Sequence, residues 1–233
     1  MAENTKTFGW TTFYREVVRQ MLAWPQSERD AKLQKLLKAW IHKDYVNPMP
    51  SYVIAEISSP KTFPARAKKA KELAELMGIS DWPADFSGVP GTYSGSAFLT
   101  TPHPTEELVQ ADWDLMEAAF TGKVLDSPAK FTEALQKVFD GLQEIGRGKD
   151  RIEVTKFVAS VDPDELIPMD SNNRTELENN PAFTKKEIEE ASHSAEGYIN
   201  LIKKWHKEYP NEKPLVFNHR AWEKALNLPL TES

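Results

Sequence analysis

With 233 residues, 40% of them hydrophobic and including seven Trp and eleven Phe, the chain is long enough to bury a sizeable core as one large domain or two small ones. Its 29 Lys and Arg stand against 35 Asp and Glu, and the resulting charge of −6 excludes a surface that coats nucleic acid without regard to sequence, leaving room only for local basic patches. Cysteine is absent, which rules out disulfides, thiolate metal sites and cysteine nucleophiles.

The segment before Phe8 has no apolar signal core, and no stretch approaches the roughly 20 apolar residues of a membrane span, so a soluble cytoplasmic protein is expected. Phe13, Val17 and Met21 form the first helical stripe. After Trp24 and Pro25, Ser27 and Asp30 make a capping-box-like start for a second helix carrying Leu33, Leu36, Leu37, Trp40 and Ile41. Between Lys43 and Ser59, Tyr52, Ile54 and Ile57 fit no single period and prolines bound the segment, which reads as a loop, a strand or a short helix.

Ala65 to Met77 is an alanine-rich helix stopped by Gly78. Its first half carries Arg66, Lys68, Lys69 and Lys71, where positive charge opposes the helix dipole and so points to an anionic partner or to nearby carboxylates. Trp82 to Pro104 lacks periodicity and reads as a structured loop or small hairpin, with aromatics that include Phe86 and Tyr93 either lining a site for a stacked base or pinning the loop to the core. Glu106 to Phe120 resumes as a helix with apolar residues on two adjoining faces, the mark of a central element.

Ser127 and Pro128 open the next helix, with Phe131, Leu135, Val138, Phe139 and Leu142 repeating behind them. Thr184 and Glu187 form a capping box for the longest expected helix, running to Tyr209, with the stripe Ile188, Ala191, Ala195, Tyr198, Ile202, Trp205 and Tyr209. That stripe packs either on neighbouring helices or, less favoured, along a dimer seam. A last helix is expected from Arg220 to Leu226.

The signatures of common chemistry fail on spacing. Gly146 to Lys149 lacks the pattern of a phosphate-cradling loop, the five histidines include no pair spaced as ligands on one helical face, and Ser94 is not set in a Gly-x-Ser-x-Gly turn. No metal and no cofactor are assigned.

The densest polar run is Thr155 to Arg174. Pro163 and Pro168 force two turns, and Asp170 stands where a helix N-cap belongs, able to accept from the N–H groups of Asn172 or Asn173 and to pair with Arg174. The acids at 162, 164, 165 and 170 raise the prospect of a metal-dependent nuclease, but the favoured reading makes Asp162 and Asp170 helix caps and puts Asp164 and Glu165 in a first helical turn.

Several segments stand together: Phe13, Tyr14 and Glu16 before a Leu-rich helix; Met49, Pro50 and Tyr52; Arg66; Met77, Gly78 and Ile79; Pro83, Asp85, Phe86, Gly88 and Pro90; Trp113, Leu115, Glu117, Ala118 and Ala119; Thr155 through Asp170 to Arg174; and Ala221 with Trp222. In this order they resemble the N-terminal, non-GTPase module of McrB-like AAA+ proteins of modification-dependent restriction. The sequence departs from the pattern at Ala97 and Phe98, where a Trp-Phe pair is usual, and across Ala55 to Ser58. The resemblance implies a recognition module standing alone, able to bind but not to hydrolyse nucleotide.

The combined expectation is a mainly α chain, one helical domain over residues 1–233 with about eight helices and room for a small β element in 43–59 or 88–99. Its expected role is non-enzymatic recognition in a prokaryotic defence system, binding modified or unmodified DNA or a partner subunit. Arg66, Lys68, Lys69 and Lys71 would meet phosphates, Phe86 and Tyr93 a base or partner, while Asp170, Asn173 and Arg174 organise the site. The alternatives are a protein-only adaptor working through the 184–209 helix and a small helical nuclease or glycosylase-like enzyme using Asp170 or Asp164.

Overall fold

The helical repeats become eleven α-helices in the computed structural model, which describes residues 9–60, 62–80 and 103–225. In chain order they are α1 (Gly9–Leu22), α2 (Arg29–Ile41), α3 (Ser51–Ser58), α4 (Phe63–Met77), α5 (Glu106–Phe120) and α6 (Pro128–Glu144), followed by α7 (Arg151–Val161), α8 (Ser171–Glu178), α9 (Lys185–His193), α10 (Ala195–Glu208) and α11 (Pro214–Ala225). The described residues contain no strand, so the β alternative for 43–59 is replaced by α3, while 88–99 lies outside them. Among the described residues no helix is long and apolar enough to cross a membrane.

One continuous core joins side chains from α1 through α11. α5 packs most extensively on α6 and also meets α1 and α7, as its two apolar faces require. All eight residues of α3 are buried, and so is every residue of α7 from Val154 to Val161. A helix enclosed on all sides shows no polar face, which is why α3 had no readable period.

Burying α3 places its first N–H groups beyond the reach of water. Asp112, fully buried on α5, answers from 61 residues away: its Oδ2 accepts the N–H of Ser51 at 2.9 Å, setting a carboxylate against the positive end of the helix. Burial pushes the Asp112 carboxyl up to about 7, with the Ser51 N–H opposing that rise.

Three helix boundaries differ from the sequence reading, the simplest being α11, which starts at Pro214 and not at Arg220. Ser27 and Asp30 form no capping box; a single 3₁₀ turn over Gln26–Glu28 leads into α2, and the Asp30 carboxylate instead accepts Trp113 Nε1 from α5 at 2.8 Å. The expected helix over 184–209 starts on its Thr184 and Glu187 capping box but breaks at Ser194, whose backbone is extended (φ −134°, ψ 144°) and whose hydroxyl accepts the Gly197 N–H to start α10. Gly197 permits this close restart, because a Cβ there would stand 2.6 Å from the Glu190 carbonyl oxygen. The stripe Ile188, Ala191, Ala195, Tyr198, Ile202 and Trp205 is buried in the chain's own core, so it offers no seam to a second chain. With α3 and this division, the helices outnumber the expected eight.

Two outcomes are expected. Because the Asp112 carboxyl is raised in the fold, its ionisation opposes folding: its contribution is complete below the ordinary carboxylate range and is lost as pH climbs from about 4 through about 7, on the order of a few kcal/mol. Asp112→Asn, whose amide oxygen still accepts from Ser51, therefore flattens the fall in melting temperature between about pH 5 and about pH 8; identical slopes in both proteins would refute this. Gly197→Ala forces its methyl against backbone and lowers stability by about 1–3 kcal/mol in denaturant unfolding.

Candidate functional site

α1 turns Trp10, Phe13, Tyr14, Val17, Val18 and Met21 into the core. This fixes Thr12, Arg15, Glu16, Arg19 and Gln20, spaced three and four apart, on the opposite side. They form one wall of a groove of about 590 Å³, closed by Phe120 at the end of α5 and by residues 78–80 after α4. A volume of this size falls in the range of small-ligand sites.

Arg15 is the oriented cation of this groove. Its Nη1 donates to the Val161 carbonyl at the C-terminal end of α7, and its guanidinium lies 5.2 Å from the Phe120 ring centroid. Arg19 grips Glu16 through two bonds, Nε to Oε2 at 2.7 Å and Nη2 to Oε1 at 2.6 Å, and Gln20 adds a third at 3.0 Å. The Arg19 bonds hold the Glu16 carboxyl below its ordinary value.

Next to Val161, whose carbonyl Arg15 holds, stands Asp162, the residue that ends α7, 1% exposed and with an Oδ2 that has no hydrogen-bond partner among the described residues. Burial pushes its carboxyl up to about 7, aided by the charges of Glu165 and Asp164 and opposed by Arg15 and the Glu165 N–H. The Tyr198 hydroxyl donates to the Ile167 carbonyl at 2.9 Å, and burial, followed by the nearby Asp162, raises that phenol well above its usual value.

The basic run on α4 divides by helical spacing. Arg66 is buried, with Nε donating to the Pro60 carbonyl at 2.6 Å; burial lowers its pKa. The Lys69 ammonium meets the Glu56 carboxylate and lies 5.4 Å from the centre of the Trp40 ring. Lys68 and Lys71 face outward, the first only 4.0 Å from Glu72 and 80% exposed. The four bases thus share no single surface, and the nearby carboxylate anticipated from the dipole argument is Glu56. Phe86 and Tyr93 lie outside the described residues.

Asp170 caps α8 as its position implied. Its Oδ1 accepts the N–H groups of Asn172 (2.8 Å) and Asn173 (3.1 Å), and its Oδ2 accepts Asn173 Nδ2 at 2.8 Å. The same Asn173 amide donates to Asn218 Oδ1 at 2.8 Å, tying α8 to α11. Arg174 makes no ion pair with Asp170, because the carboxylate is turned onto the helix N-terminus; the buried Arg174 Nε has no hydrogen-bond partner among the described residues. Asp162 ends α7 instead of starting a helix, and Asp164 and Glu165 sit in a turn, Asp164 exposed near Lys213 at 3.5 Å and Glu165 accepting the Leu125 N–H at 2.8 Å.

The model of a Domain of unknown function (DUF8425) matches residues 10–224, from α1 into α11. The chain belongs to this family. No curated protein and no solved structure matches it. The DUF8425 match includes both the groove and the Asp170 cap.

Sequence reasoning passed over Arg15 and Asp112. The first stood in plain view beside Tyr14, but its value depends on Phe120 and Val161, far along the chain; no local signal marked the second. Removing the cap has a defined effect: Asp170→Ala destabilises the protein by about 2 kcal/mol in urea unfolding, whereas an exposed acid such as Asp164→Ala changes stability by less than about 0.5 kcal/mol.

Proposed function

We propose that this DUF8425 chain is a non-enzymatic recognition module of a prokaryotic defence or restriction system, and that it binds nucleic acid along the arginine-lined face of α1 and the exposed Lys68 and Lys71 of α4. The observation that carries the reading is Arg15, a guanidinium fixed by one hydrogen bond and an aromatic face at the edge of a groove, the form in which arginine best receives a phosphate. Asp170 supports a non-catalytic role for the 155–174 run, since its oxygens already receive three N–H groups. The inward-facing α9 and α10 stripe speaks against the adaptor alternative in its 184–209 form.

With few phosphate contacts on an acidic chain, binding is modest and falls with salt at a log–log slope near −3 for about three contacts. Gel shifts with modified and unmodified duplexes, at low and at physiological salt, test this. Lys68→Glu with Lys71→Glu should weaken the shift, and Lys69→Gln should act on stability through Glu56. No retarded band with either duplex at low salt would remove the nucleic-acid reading.

A further inference from the structure

Arg15 connects the groove to a buried acid. Its Nη1 is held by the Val161 carbonyl, while Nε and Nη2 make no hydrogen bond to a described residue. The next residue is Asp162, enclosed and with one carboxylate oxygen that no described residue bonds. The charged and titratable groups around Asp162 come from three sides: Arg15 from α1, Glu165 and Asp164 from its own turn, and Tyr198 from α10. Just beyond them, His206 contacts the Glu165 carbonyl oxygen at 2.9 Å and Lys213 faces Asp164. Arg15 is the cation whose field acts on Asp162.

We propose that Arg15 is shared between Asp162 and a phosphodiester in the groove, so that protonation of Asp162 strengthens nucleic-acid binding there. The proposal rests on the nucleic-acid reading above and adds its control by pH. When Asp162 is ionised, its negative charge offsets Arg15, and a bound phosphodiester brings a second anion against the same guanidinium. When Asp162 takes a proton, Arg15 acts on the ligand alone. Linkage makes the effect reciprocal: a bound phosphodiester makes Asp162 harder to ionise. Burial and the neighbouring Glu165 set the Asp162 carboxyl at about 7, so the change falls near neutrality. Phosphodiesters stay ionised throughout that range, and so does Glu16, held low by Arg19.

Fluorescence anisotropy with a labelled duplex, at about pH 6 and about pH 8 and fixed ionic strength, tests the proposal. The wild-type protein should bind about five-fold more tightly at the lower pH, Asp162→Asn should bind tightly at both, and Arg15→Gln weakly at both. Charge changes elsewhere in the protein are common to the wild type and Asp162→Asn, so the difference between their profiles reports Asp162. A second readout needs no variant: the ¹³C resonance of the Asp162 carboxyl should titrate with a higher midpoint when the duplex is present. Equal pH profiles for the wild type and Asp162→Asn, or a midpoint unmoved by saturating duplex, would overturn the linkage while Arg15→Gln still weakens binding. Failure of the wild type to bind at either pH would instead remove the nucleic-acid reading on which the linkage rests.

Discussion

A helix surrounded by protein cannot leave its terminal N–H and carbonyl groups to water, and among the described residues α3 throughout and α7 from Val154 to Val161 are enclosed in this way. Each has a terminal group met by a polar side chain from a distant helix: the Asp112 carboxyl at the N-terminal end of α3 and the Arg15 guanidinium at the C-terminal end of α7. Both partners are placed by amphipathic helices, α5 and α1, whose apolar stripes fix the direction in which each polar residue points. The arrangement of the centre therefore depends on polar side chains that local sequence does not advertise.

The same requirement reassigns the acids that looked most like chemistry. Asp170 supports α8, Glu165 holds the backbone before α6, and Glu56 neutralises Lys69. Glu153 pairs with Lys156 at 3.0 Å inside α7, with burial raising its carboxyl. These groups satisfy backbone or each other, as buried polar atoms must. Arg15, on the rim of the groove, is oriented while part of its donor set is not used by a described residue.

Much of the fold was legible wherever a helix has both a wet and a dry side. Phe131, Leu135, Val138, Phe139 and Leu142 defined α6, and Gly78, in left-handed conformation at φ +69°, ended α4. α3 escaped notice because burial on every side erases period, and the break at Ser194 escaped because the capping residues of α10 lie inside a stripe that continues without interruption. The site was less legible than the fold. Helical spacing of three separates Lys68 and Lys71 from Arg66 and Lys69, so a cluster in sequence became two surfaces, and the groove depends on residues that meet only after folding.

The bond between Arg15 and the Val161 carbonyl spans 146 positions. Besides α5 and α7, α1 packs on α2 and α4, which follow it closely in the chain. Its apolar face is therefore shared between near neighbours and helices far along the chain, and contacts of the second kind carry the larger loop-closure cost. A chain ending before α7 would keep the α2 and α4 part of this cover and lose both the α7 part and the Arg15 bond.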